Sequence, residues 1–195
     1  MNKKKIIQIG IIIFVIVFVT ICVAIVQLSK HNLEEAKKDL QETQEKYGWV
    51  EKESVDVLVA KFNTQVMDNN SSSLNPASTD YLTESNNEYW YGLIEGVYLV
   101  VVPEKYTGDK TTETVNYTLL YVDKTSKYES DAISYIKYLI KANNSEITDS
   151  EIDTLLEDAK TKINSGKTAN NGKGISIGYT EKDEAYQYQV LRLYK

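Results

Sequence analysis

The stretch EYWYGLIEGVYLVVVP, residues 88–103, decides the fold of this chain. It contains two runs rich in β-branched and aromatic residues, Glu88 to Leu93 and Gly96 to Val102. Pro103 ends the second run, because proline has no backbone N–H to donate to a neighbouring strand. A polar segment then leads to a third such run, Thr114 to Asp123. Together the runs predict three consecutive antiparallel strands.

Helical patterns lie on both sides of these strands in the sequence. Ser54 is suited to cap the first helix, and Thr148 with Glu151 three residues on fits a capping box for the last. Apolar residues at spacings of three and four give each predicted helix one face to bury. These faces are Val55, Leu58, Val59, Phe62 and Val66; Ala132, Ile133, Ile136, Leu139 and Ile140; and Ile152, Leu155, Leu156 and Ala159.

Two further alternating runs, Gly174 to Thr180 and Ala185 to Tyr194, predict a closing hairpin around a tight turn. The polar stretches Asp68 to Asp80 and Asn164 to Gly174 are predicted as loops. We therefore expect an α+β fold in residues 49–195. It should have one antiparallel sheet of about five strands, backed on a single face by about three helices.

The N-terminal residues predict a membrane anchor. Three lysines, Lys3 to Lys5, precede an uncharged, largely apolar run from Ile6 to Leu28, which as a helix would cover about 34 Å and so cross a bilayer. The positive-inside rule then places residues 1–5 in the cytoplasm and the rest of the chain outside the cell. The predicted protein is a single-pass cell-membrane protein that contacts lipid through Ile6 to Leu28.

Three other interpretations share this apolar segment. A cleaved signal peptide would use the Cys22-Val23-Ala24 region, although more apolar residues follow instead of a polar stretch. A lipoprotein would be modified at Cys22, although the bulky Ile21 stands where a small residue is usual. A pilin-like subunit would be processed after Gly10, although Val15 occupies the position expected to hold glutamate.

Residues 29–48 are predicted to be a helical stalk. Leu33, Ala36, Leu40 and Tyr47 form one narrow apolar stripe on an otherwise polar helix. Such a stalk serves as a spacer or as a short coiled coil that pairs two copies of the chain. A homo-oligomer formed through the stalk is thus one predicted assembly.

The charge balance excludes one class of partner. Residues 1–28 carry three of the 22 basic residues and none of the 28 acidic ones, which leaves a net charge of −9 on the remainder. An acidic surface of this size repels phosphate backbones, so nucleic-acid binding is not expected.

The scarcity of nucleophilic and metal-ligating residues argues against an enzyme. The single cysteine, Cys22, lies in the predicted span, and the single histidine, His31, lies in the stalk. Zinc sites built on Cys and His, and Ser/His/Asp nucleophilic sites, are therefore not expected in residues 49–195, and neither is a cofactor. A hydrolase that uses two carboxylates is still open, since such acids need not be close in sequence.

Tyrosine usage gives the only candidate binding residues. All 15 tyrosines lie beyond Leu28, with Tyr89 and Tyr91 flanking Trp90, and with Tyr186 and Tyr188 on one side of the final strand. Rings with a polar tip suit half-exposed faces that bind sugars or proteins, so Tyr89, Tyr91, Tyr186 and Tyr188 are the predicted partner-binding residues. The alternative is that these tyrosines simply pack on a twisted sheet.

These observations lead to one functional hypothesis and an alternative. We expect a membrane-anchored extracellular binding protein of a low-GC bacterium, whose partner is an envelope protein or a glycan. The bacterial assignment rests on the abundance of Asn, Lys, Ile and Tyr and on the lack of cysteine pairs. The alternative is a structural subunit of a secretion, conjugation or other envelope assembly.

Overall fold

A computed structural model describes residues 34–39, 41–42, 46, 48–69, 74–163 and 165–194. The chain divides into two units, Met1–Thr43 and Gln44–Lys195. In the first unit, residues 34–39 and 41–42 are helical, and Lys38 and Glu42 form an exposed i,i+4 ion pair. The second unit contains the whole sheet.

None of the helices among the described residues combines the length and the apolar character that crossing a bilayer requires. The predicted span, Ile6 to Leu28, and the predicted cytoplasmic residues 1–5 lie outside the described residues. So do Leu33, Leu40 and Tyr47 of the predicted stalk stripe, whereas Ala36 is helical and exposed.

Helix α1, Val55–Asp68, follows the sequence pattern closely. The Ser54 hydroxyl accepts a hydrogen bond from the Val57 amide, which confirms the predicted N-cap. The five residues of its predicted apolar face are the ones that are buried. Because the apolar spacing matches 3.6 residues per turn, this helix packs one continuous side against the core.

The sheet is antiparallel and has seven strands in the order β1-β2-β3-β4-β7-β6-β5. The first four strands form a meander, and β7 then adds beside β4. The bounds are β1 Leu82–Ser85, β2 Glu88–Ile94, β3 Val97–Pro103, β4 Val115–Asp123, β5 Ala169–Asn170, β6 Ile175–Glu181 and β7 Ala185–Arg192.

The predicted number of about five strands is wrong, because both edge strands escape the sequence pattern. Strand β1 is short and mostly polar, and all four of its residues pair with β2. A tight turn at Asn86 and Asn87, which both have positive φ, joins the two strands. Strand β5 has two residues inside the stretch predicted as a loop, and it pairs with β6 at Ala169 and Asn170. Strands this short carry too few residues to show alternation.

Two helices connect β4 to the last three strands. Helix α2, Glu129–Asn143, packs on α1 and on β4, and helix α3, Asp149–Thr161, packs on β5 and β6. The predicted capping box is confirmed, since Thr148 and Glu151 each bond the backbone of the other. The α+β class, with helices against an antiparallel sheet, is thus confirmed.

The last strand and the segment before α1 close the domain together. Val50 donates its amide to the Leu193 carbonyl at 2.7 Å, and Leu193 donates to the Gly174 carbonyl at 2.9 Å. Gly174 has φ +76°, and a Cβ at this position would collide with the backbone of Trp49. A residue without a side chain is therefore required here.

Candidate binding surface

Tyr89 and Tyr91, two of the predicted partner-binding residues, belong to the core. They are 0% and 2% exposed, and they face the helices together with Leu99 and Leu120 of the neighbouring strands. The Tyr89 hydroxyl donates to the buried Glu113 carboxylate at 2.6 Å. Burial also raises the pKa of the Tyr91 hydroxyl. Neither side chain presents a surface to a partner in this structure.

Tyr186 and Tyr188 lie on the same helix-bearing side of the sheet, at its other end. Tyr188 is 5% exposed and its ring centroid is 4.8 Å from that of Tyr179, which is also 6.3 Å from Tyr186. The three rings line a cleft of about 550 Å³ with Glu129 and Lys160. Burial raises the pKa of Tyr179 to about 12, so its hydroxyl stays protonated at neutral pH. The two predicted pairs of tyrosines do not meet in one site.

The opposite side of the sheet carries the residues that the sequence analysis did not select. Because side chains alternate along a strand, Trp90 points away from the helices that cover Tyr89 and Tyr91. The strand registers group the residues of this side, which we call the open face: Thr83, Trp90, Gly92, Tyr98, Val100, Val102, Tyr117, Leu119, Tyr121, Ser176, Gly178, Thr180, Gln187, Gln189 and Leu191.

Three rings form an aromatic cluster on the open face. The centroid of Trp90 lies 6.2 Å from that of Tyr98 and 5.7 Å from that of Tyr121, and Tyr98 and Tyr121 are 6.1 Å apart. Their planes cross at 63°, 59° and 66°, which are the tilted and edge-to-face arrangements that aromatic pairs prefer. The Trp90 indole N–H donates to the Glu88 carboxylate at 3.0 Å, which fixes the indole.

The aromatic cluster raises the open face above the level of the sheet. Val100, on the middle row of this face, is 0% exposed, whereas Tyr98 beside it is 37% exposed. A cleft of about 520 Å³ adjoins the cluster and is lined by Tyr98, Gly92 and Tyr81, which is 70% exposed. The open face thus combines protruding rings with a hollow next to them.

The open face carries no charge between its ends within β2, β3, β4, β6 and β7, all of which the structure describes. Its polar side chains are amides and hydroxyls, although 26% of the chain is Asp, Glu, Lys or Arg. The nearest charged residues on the same strands, Glu88 and Asp123, stand at strand ends. Depletion of charge and enrichment of Tyr and Trp are typical of the central part of protein interfaces.

One signal in the sequence points to this surface. Alternation places Trp90 on the side opposite Tyr89 and Tyr91, but the local sequence does not show which side the helices will cover. Tyr98 and Tyr121 come together only through the pairing of β3 with β4, in which they are direct partners. A single strand contains none of this information.

No group of His, Cys, Asp and Glu side chains among the described residues is arranged to hold a metal ion. Comparison with family models, curated proteins and solved structures finds no match to this chain. The open face is therefore the surface that offers a functional interpretation.

Proposed function

We propose that this protein is a membrane-anchored extracellular binding protein, and that it binds a protein partner through the open face. The observation that carries the proposal is the aromatic cluster of Trp90, Tyr98 and Tyr121, on the side of the sheet opposite the one that α1, α2 and α3 cover. Trp and Tyr are enriched among the few residues that carry most of the binding energy at protein interfaces. The anchoring part of the proposal is supported by the apolar run from Ile6 to Leu28 and by the three lysines before it.

The ring geometry favours a protein over a glycan. A sugar chain stacks on aromatic rings whose flat faces are open and roughly coplanar. The three rings of the aromatic cluster cross one another at 59° to 66°, so they do not form one flat platform. This arrangement offers protruding apolar edges that fit between side chains of another protein.

Charge substitution on the open face tests the binding surface. In Tyr98→Lys, an ammonium group replaces a ring at the exposed edge of the aromatic cluster, and burying it against a partner would be costly. Val57→Lys is the matched control, because Val57 is 46% exposed on α1, on the helix-bearing side of the sheet. We expect proteins crosslinked in cells to co-purify with the wild type and with Val57→Lys, and to be lost with Tyr98→Lys. Equal recovery with the wild type and both variants would refute the proposed surface.

A separate experiment tests the anchor and its direction. Protease added to intact protoplasts should digest residues 49–195 of the full chain and spare a short N-terminal fragment in the membrane. A chain that stays intact until the cells are lysed would show that the domain is not outside.

A further inference from the structure

We infer that the protein partner at the open face is a second copy of this chain, so that two copies pack sheet against sheet. This inference rests on the proposed function, because it names the occupant of the same surface.

The polar groups of the open face are self-complementary. Gln187, Gln189 and Thr180 carry amides or a hydroxyl, which both donate and accept hydrogen bonds. In a two-fold contact the same patch is used by both partners, so a residue near the axis meets itself or its immediate neighbours. A carboxylate or an ammonium group near the axis would be repelled by its own copy, whereas an amide can pair with another amide.

The charge of the rest of the domain favours this same surface. Residues 29–195 have a net charge of −9, so two copies repel each other electrostatically in most relative orientations. A partner selected by charge would be basic and would need carboxylates at the contact. On the described strands of the open face, carboxylates stand at the strand ends, at Glu88 and Asp123, and the central part carries none. An uncharged, apolar face on an acidic domain is suited to another face of the same kind.

The size of the open face indicates a dissociable dimer. Five strands about 4.8 Å apart and about seven residues long cover roughly 24 Å by 23 Å, or about 550 Å² per copy. Standard interfaces bury about 800 Å² per partner, so this face is at the small end of specific interfaces, where transient contacts are found. Confinement of both copies to one membrane would raise their effective concentration and favour the pair.

Gln189 provides a sharp test because it lies near the centre of the open face. It pairs with Leu119 of β4, the middle strand of the sheet, and with Gly178 of β6. Gln189→Glu or Gln189→Lys, each alone, would place like charges against each other in a pair of identical copies. When the two variants are present together, opposite charges would meet in the mixed pair.

The experiment uses the full chain in its native membrane, with the photoreactive residue p-benzoylphenylalanine at position 98 in place of Tyr98. Irradiation should give an adduct at twice the chain mass of 22.2 kDa. We expect Gln189→Glu and Gln189→Lys each to reduce this adduct at least about tenfold, and co-expression of the two variants to restore most of it. Gln65→Glu, on α1, is the matched control and should leave the adduct unchanged.

The outcomes separate this inference from the proposed function. An adduct of another mass that contains a different protein overturns the inference that the partner is a second copy, but it leaves the proposal that the open face binds a protein. Absence of any adduct at position 98, with the variant folded by circular dichroism, overturns both. A double-mass adduct that the Gln189 variants do not change also overturns the sheet-to-sheet pair, since contact through another surface would then hold the copies together.

Discussion

Replacing Tyr91 and Trp90 separately by alanine distinguishes the core side of β2 from its open side. The two residues are adjacent in sequence and both are aromatic. Tyr91 is 2% exposed in the core, whereas Trp90 is only partly buried and belongs to the aromatic cluster. The fold depends more on Tyr91 than on Trp90, whereas the proposed interface depends on Trp90.

The expected free energies follow from these contacts. Tyr91→Ala removes a fully buried ring and leaves a cavity, which costs about 4 kcal/mol. Trp90→Ala loses its ring contacts with Tyr98 and Tyr121 and its hydrogen bond to Glu88, together about 2 kcal/mol at a half-exposed site. For a domain of this size these costs correspond to roughly 12 °C and 6 °C in melting temperature.

The assay is urea and thermal unfolding of the purified full chain, followed by circular dichroism so that the loss of Trp90 does not remove the signal. The same variants are then tested for crosslinking through position 98. We expect Trp90→Ala to be folded and to lose the adduct. If Tyr91→Ala is the milder change, or if folded Trp90→Ala crosslinks like the wild type, the assignment of the two sides of β2 is wrong.

Three further predictions concern groups that hold the domain together. Glu113 is buried and accepts hydrogen bonds from Tyr89, Thr107 and Gly108. Glu113→Ala should therefore lower the free energy of unfolding, measured in urea, by about 3 kcal/mol. The control Glu95→Ala, at an exposed position, should lower it by less than about 0.5 kcal/mol in the same assay. A hydrogen bond from Lys173 and bonds from Thr148 lower the pKa of Glu151 to about 2, so its stabilising contribution is present above the ordinary value of 4.5 and is lost as pH falls toward 2. Glu151→Gln should therefore flatten the melting temperature between pH 4.5 and 2, and an unchanged slope would contradict this. Gly174→Ala should lower the free energy of unfolding in urea by more than about 3 kcal/mol, because its Cβ would collide with Trp49. Gly108→Ala, which has φ +85° but open space around it, should lower it by about 1 kcal/mol. Equal effects of the two substitutions would show that the collision with Trp49 is relieved.

The helices and the long strands could be predicted because their signals are local. The face of α1 and the capping box of α3 are properties of consecutive residues, and burial follows the 3.6-residue period. The edge strands β1 and β5 could not be predicted, since they are strands only through their pairing with β2 and β6. In helix α2, Tyr135 is fully buried and its hydroxyl donates a hydrogen bond to the Asn75 carbonyl, 60 residues earlier in the chain. The helical pattern alone does not predict this contact.

The candidate site shows the same division. The sequence by itself determined that the chain has an acidic domain with an antiparallel sheet and helices, and that Tyr89 and Tyr91 share one side of a strand while Trp90 takes the other. Only the tertiary structure decided which side the helices cover, and so turned Tyr89 and Tyr91 into core residues and brought Trp90, Tyr98 and Tyr121 together on the open face. The physical reason is that alternation along a strand defines two faces but does not rank them. Burial is settled by the summed packing of distant elements against one of those faces.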